Sequence, residues 1–160
     1  MLEERGYVNQ IAGDRGVLNK LLRTKHVGIY AGVDPTAPSL HLGNLLPIMV
    51  LFWVSLYGHQ AISLIGAATA RVGDPTGRLT SRAKTAESTQ AENAVQMFNQ
   101  MVALWKNATK YAERHGYKDT QIGKARLLEN AKWLDQLSIL DFLKVLGSGM
   151  RLGTMLGRDT

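Results

Sequence analysis

The 160-residue sequence contains no cysteine, which excludes a disulfide framework and any thiolate metal site, and suits a reducing compartment. It also lacks a hydrophobic run long enough to span a bilayer. The longest, LLPIMVLFWVSLYG from Leu45 to Gly58, falls short of the roughly 20 residues a spanning helix needs and contains Pro47 and Ser55. It reads instead as a buried helix, and no membrane partner is expected. The first residues, MLEERGYVNQ, have neither the apolar stretch of a secretory signal nor the acid-poor arginine pattern of a mitochondrial presequence. There is no internal repeat and no low-complexity linker. Acidic residues are the minority charge, 13 against 19 Lys and Arg, and the net charge of +6 suits phosphate-bearing partners. With 45% hydrophobic and 20% charged residues the chain can bury one globular core.

The apolar spacing alternates between helix and strand periods. RGVLNKLLRTK (Arg15 to Lys25) sets Val17, Leu18, Leu21 and Leu22 on one helical face, and HVGIYAGV (His26 to Val33) follows as a strand rich in Val, Ile and Tyr. A second strand, QAISLIGAA (Gln60 to Ala68), is apolar on both faces, as expected of a central parallel strand covered by helices on each side. From Ser88 to His115, Val95, Phe98, Met101, Val102, Trp105, Ala108 and Ala112 keep helical spacing up to Gly116. ARLLEN reads as a third strand and WLDQLSILDFLKVLG (Trp133 to Gly147) as one further amphipathic helix. The pattern is that of an α/β fold, in which strand, helix and strand make a βαβ unit of a parallel sheet with flanking helices.

Two segments carry candidate chemistry. In YAGVDPTAPSLHLGN (Tyr30 to Asn44), small and turn-forming residues separate a strand from a long apolar helix. In open α/β sheets, ligands bind beyond the carboxyl ends of such strands, where helix N-termini direct unpaired N–H groups at anions. Asn44 is a good N-cap, which would put Pro47 at the third helical position, where its missing N–H has no intrahelical partner. Gly32 and Gly43 would let a ligand approach the backbone, with His41 and Asn44 facing it. A capped helix with a surface histidine fits the same residues. The second segment, GAATARVGDPTGRLTSRAK (Gly66 to Lys84), combines glycines with Arg71, Arg78, Arg82 and Lys84. Such a loop can close over phosphates and supply positive charge as negative charge develops; it can equally be a solvated loop. It matches neither the P-loop nor the dinucleotide fingerprint.

Together these segments resemble class I tyrosyl-tRNA synthetases. YAGVDPTAPSLHLGN is similar to the segment that holds the family's His-Ile-Gly-His type motif, and GAATARVGDPTGR to its Gly-Asp-Pro-Ser/Thr-Gly segment. The spacing between them also fits, as do RGYVNQ upstream and LLENAKWL and ILDFLKVLG downstream, so the resemblance covers nearly the whole chain. ATARVGDPTGR and MRLGTMLGRDT resemble the mitochondrial branch, which implies the mitochondrial matrix as the compartment, with the cytoplasm as the alternative. The sequence departs from the family in having Asn44 where its motif ends in His. The resemblance further implies a Rossmann-type parallel sheet with flanking helices, of which residues 1–160 are the N-terminal part of the nucleotide-binding catalytic domain. The second ATP loop of Lys-Met-Ser-Lys-Ser type, part of the amino-acid pocket and the anticodon-binding domain would lie beyond Thr160.

The activity implied is that of a tyrosine-tRNA ligase, with ATP, tyrosine and tRNA(Tyr) as substrates and Mg2+ accompanying ATP. Carried over by motif position, His41, Asn44, Arg78 and Arg82 would act on the transferring phosphate. Gly32, Asp34, Thr36 and Gly43 would line the ATP side. Tyr30 would meet the substrate phenol, Asp74 would accept from its ammonium group, and Asn130 would orient the pocket from behind. Apart from the family frame, Tyr30 and Asp74 read as a core tyrosine and a turn aspartate. The resemblance also implies a homodimer whose interface uses Trp133 to Gly147 with Met150, Leu152, Met155 and Leu156. A tryptophan-activating relative is the nearest rival. Some fungal mitochondrial members also assist group I intron splicing, and Lys106 to Lys132 holds seven Lys and Arg against three acids with Tyr111 and Tyr117 interleaved. That stretch can track RNA phosphates or be a solvated face. A nucleotide-binding module without chemistry is the third class.

Overall fold

The computed structural model describes residues 1–72, 86–118, 122–145 and 147–150. Its elements run α1 (Arg15–Thr24), β1 (Gly28–Val33), α2 (Leu42–Leu56), β2 (Gln60–Ile65), α3 (Ala67–Val72), α4 (Glu87–Arg114), β3 (Ala125–Glu129), α5 (Ala131–Leu134) and α6 (Ile139–Val145), followed by a 3-10 turn at Gly147–Gly149. The three strands form a parallel sheet in the order β1-β2-β3, with Ile29 opposite Ala61 and Ala61 opposite Ala125. Asp14 starts α1 by accepting from the Val17 N–H at 2.7 Å.

The register puts Ile29, Ala31, Val33, Ala61, Ser63, Ile65 and Leu127 on one face of the sheet. Leu51 and Val54 of α2 pack there on Ala61, Ile29 and Ala31. Ala94 and Met97 of α4 pack on Val33 and Ile65, joined by Phe98 and Leu127. Both long helices therefore cover the same face, and Tyr30, Ile62, Leu64 and Leu128 on the other remain exposed or half-buried. This corrects the expectation that β2 is covered by helices on each side. The strands advance in one direction, and right-handed crossovers that advance one way all fall on one side of a sheet.

Three boundaries also differ from the sequence expectation. β2 ends at Ile65: Gly66 N–H still bonds to the Val33 carbonyl at 2.9 Å, and α3 begins at Ala67. The segment expected as a loop from Gly66 thus opens with a helix. The single helix expected from Trp133 to Gly147 is two, α5 and α6. The break is a side-chain cap: Ser138 Oγ accepts from the Asp141 N–H at 3.1 Å and donates to the Asp141 carboxylate at 2.6 Å. The Ser-x-x-Asp spacing of SILD is the sequence signal for it.

Ser63 sits at 0% exposure in the central strand, and its Oγ accepts from Trp105 Nε1 of α4 at 2.8 Å. The indole N–H has thereby found its acceptor inside an otherwise apolar contact. Ser63→Ala should destabilise the fold by about 1–3 kcal/mol, the cost of stranding a buried donor, read as a lower urea midpoint. An unchanged midpoint would mean that water reaches Trp105.

Candidate functional site

The carboxyl ends of all three strands meet in one hydrogen-bonded group. Gly66 N–H bonds to Val33 C=O at 2.9 Å and Asn130 N–H to Ile65 C=O at 3.1 Å, so the residues just beyond the strands are held in line. Asp34 follows β1, and its Oδ1 accepts from the Thr69 hydroxyl at 2.7 Å. Thr69 in turn accepts from Asn130 Nδ2 at 3.2 Å, while Asn130 Oδ1 accepts from the Ala68 N–H in the first turn of α3 at 2.8 Å. Thr69 Oγ1 also lies 3.1 Å from the Gly66 carbonyl. Its single proton goes to the shorter, charge-assisted bond with Asp34. Asn130 is 4% exposed and both ends of its amide are engaged. Thr69 is the member of this group that sequence reasoning missed, since a lone threonine has no spacing signature.

Gly66 admits this arrangement because it has no side chain. A Cβ there would stand 1.9 Å from Asp34 Oδ1 and 2.6 Å from Thr69 Oγ1, distances no real contact tolerates. Thr36 is held in a tight turn by its N–H bond to the Asp34 carbonyl at 2.8 Å. Gly32 is less constrained: a Cβ there would meet Leu64 at an ordinary 3.7 Å.

Helix α2 begins earlier than its sequence reads. His41, not Asn44, is the N-cap, with extended backbone (φ −109°, ψ 170°), and Asn44 occupies the third helical position. Asn44 Oδ1 accepts from the His41 N–H at 3.0 Å, and Asn44 N–H bonds to the His41 carbonyl at 2.9 Å. The Asn44 carbonyl oxygen is thus turned back on the chain, and its amide NH2 is the end suited to a ligand. Pro47 accordingly lies inside the helix rather than in its first turn, where it removes the N–H that would bond Gly43 C=O. The sequence misleads because Asn is a strong N-cap and His a weak one. The exposed His41 ring lies over Gly43, where a Cβ would come within 3.0–3.1 Å of it.

Tyr30 is 72% exposed on β1, at the edge of the sheet, and lines a cleft of about 540 Å3 with Arg5 and Tyr7 and with Leu46 and Pro47 of α2. Asp74, Arg78 and Arg82 lie outside the described residues, as do Leu152, Met155 and Leu156. Arg71 lies on α3 and pairs with Asp135, the residue that ends α5, tying α3 to α5.

Residues 22–160 match the family described as tRNA synthetases class I (W and Y). The chain belongs to this family. It is 42% identical, over its whole length, to 25% of a mitochondrial tyrosine–tRNA ligase from Podospora anserina. A mitochondrial tyrosine–tRNA ligase from Saccharomyces cerevisiae is 37% identical over 99% of the chain, which spans 33% of that protein. The solved structure of a C-terminally truncated mitochondrial tyrosyl-tRNA synthetase from Aspergillus nidulans superposes with a TM-score of 0.93 at 46% identity, covering 99% of this chain and 44% of that one. The chain thus spans less than half the length of each of these relatives, and in the class I synthetase family it represents the sheet and helices described above.

Proposed function

We propose that this chain is the N-terminal part of the catalytic domain of a tyrosine–tRNA ligase, which activates tyrosine with ATP and transfers it to tRNA(Tyr). The observation that carries the reading is the Asp34–Thr69–Asn130 group at the ends of all three strands, with Asp34 on the same β1–α2 connection that carries His41 at its helix cap. The similarity of the chain, along its whole length, to tyrosine–tRNA ligases supports tyrosine as the substrate.

In this reading the tyrosine carboxylate attacks the α-phosphorus of ATP, the P–O bond to the leaving group breaks, and pyrophosphate departs. No protein nucleophile takes part, so the protein's contribution is positioning and stabilisation of charge. His41 and the Asn44 amide NH2 donate to phosphate oxygens, and Arg78 and Arg82 supply positive charge to the pyrophosphate. The Asp34 carboxylate repels phosphate and accepts from hydroxyl or ammonium donors, with Thr69 and Asn130 fixing its orientation. Gly32, Thr36 and Gly43 leave the backbone open on the nucleotide side. Tyr30 meets the substrate phenol, and Asp74 its ammonium group. Among the described residues no group of three or more His, Asp or Glu converges for a metal ion. A Mg2+ arriving with ATP would bind its phosphates and carry part of their charge.

Three partner assignments accompany this reading. Mitochondrial localisation is supported by the mitochondrial relatives. Assembly as a homodimer is supported by exposed Ile139, Leu140, Leu143 and Val145 on α6. Contact of α4 with RNA, tRNA or a group I intron, is supported by exposed Lys106, Lys110 and Arg114 beside Tyr111, which stacks on His115 at 4.1 Å.

Amino-acid-dependent ATP–pyrophosphate exchange in the full-length protein tests the central reading. Exchange should depend on tyrosine; exchange with tryptophan and not tyrosine would overturn it. In the same assay Tyr30→Phe should cost about 0.5–1.5 kcal/mol of discrimination against phenylalanine, the scale of one neutral hydrogen bond. Retention of the full wild-type ratio would put Tyr30 outside the pocket.

A further inference from the structure

The segment from Asp34 to His41 carries three residues of the proposed site, yet it is irregular backbone between β1 and α2. Such a segment is only as well placed as its supports. Two of these are amide side chains on α4, seven residues apart and hence two turns along one face. Asn93 is buried and donates from Nδ2 to the Pro35 carbonyl at 3.3 Å. Gln100 makes a double contact: its Oε1 accepts from the Leu40 N–H at 3.0 Å and its Nε2 donates to the Pro38 carbonyl at 3.2 Å. Its amide thus pairs with the loop as an adjacent strand's peptide group would. Between these two supports Ala37 and Leu40 pack on the cluster of Val33, Ile65, Ala94 and Met97.

We infer that Gln100 is a positioning residue for the reaction: by clamping Pro38 and Leu40 it fixes the approach of the backbone to His41. An uncharged amide carries an acceptor oxygen and a donor nitrogen side by side, matching the Leu40 N–H and the Pro38 carbonyl, so the position suits Gln. Asparagine is one methylene shorter, glutamate accepts only, and methionine of similar shape does neither. The inference rests on the assignment of His41 to the transferring phosphate. What it adds is that α4, which contributes no group to the reaction, sets the geometry of the residue that does.

The experiment uses the full-length protein in tyrosine-dependent ATP–pyrophosphate exchange, with kcat, the KM for ATP and the thermal midpoint measured for each variant. Gln100→Met should lower kcat by about tenfold with little change in KM, the scale of a sub-ångström to ångström misplacement of a group that acts in the transition state. Gln100→Glu, which keeps the acceptor for Leu40 and loses the donor to Pro38, should fall between Met and wild type. It serves as the second variant should Gln100→Met fail to fold. In a His41→Ala background, adding Gln100→Met should change kcat by less than about twofold, because the two act through one group. A wild-type kcat for Gln100→Met, or for Gln100→Glu where the first does not fold, would overturn the inference while leaving the site assignment standing. So would a full multiplicative loss in the double variant. A His41→Ala enzyme with wild-type kcat would instead overturn the site assignment, and the inference with it.

Discussion

His41→Ala is expected to lower the rate of tyrosyl adenylate formation by about a hundredfold or more, with tyrosine affinity nearly unchanged. The size follows from where the bond acts. A donor to a phosphate oxygen that gains charge as pyrophosphate leaves is stronger in the transition state than in the ground state, so its loss appears in kcat. The structure also separates this effect from folding. The backbone at His41 is held by Asn44 Oδ1 and by the Asn44 N–H, neither of which needs the imidazole. Alanine therefore keeps the helix start, and the thermal midpoint should move little. Single-turnover measurement of adenylate formation checks it, and an unchanged rate would remove His41 from the chemistry.

Gly66→Ala should be as damaging by a different route. The new Cβ would overlap Asp34 Oδ1 and Thr69 Oγ1 at once. The carboxylate is at the end of a short side chain and can swing away, but only by breaking its 2.7 Å bond to Thr69. Thr69 is held by Asn130, whose amide also caps the first turn of α3, so the strain passes to both neighbouring strands. A loss of about a hundredfold in exchange rate is expected, the scale of an ångström misplacement. Overpacking should add about 1–3 kcal/mol of destabilisation. Thr69→Ser, which keeps the hydroxyl, should retain most of the activity. Near-wild-type exchange by Gly66→Ala would show that the orientation of Asp34 is irrelevant to the reaction.

Much of the fold was legible in the chain because its elements are long and strongly periodic. The 28 residues of α4 repeat their apolar positions over many turns, and they form the helix that spacing indicates. Val27, Ile29 and Val33 mark β1, though its ladder starts only at Gly28, and Leu127 and Leu128 mark β3. Short or polar events were less visible. The split between α5 and α6 depends on one serine and one aspartate, a signal that an apolar run on both sides hides. The start of α2 was displaced because two candidate caps lie three residues apart and intrinsic preference favours the wrong one. Tertiary context decided it, with Leu40 tied to Gln100 and its chain neighbour His41 left to cap.

The sequence alone determined the three strands and the long helices between them, the absence of cysteine and of a long apolar run, and the two segments whose motifs identify the family. These are properties of neighbouring residues, and a chain carries them locally. The tertiary structure alone decided which residues from distant segments share a hydrogen bond: Thr69 with Asp34 and Asn130, Trp105 with Ser63, and Gln100 with Pro38 and Leu40. It also decided that α2 and α4 lie on one face. Each of those contacts joins residues more than 30 positions apart, and polar side chains of this kind have no periodicity to read. Their partners exist only once the right-handed crossovers have brought strand ends and helix faces together.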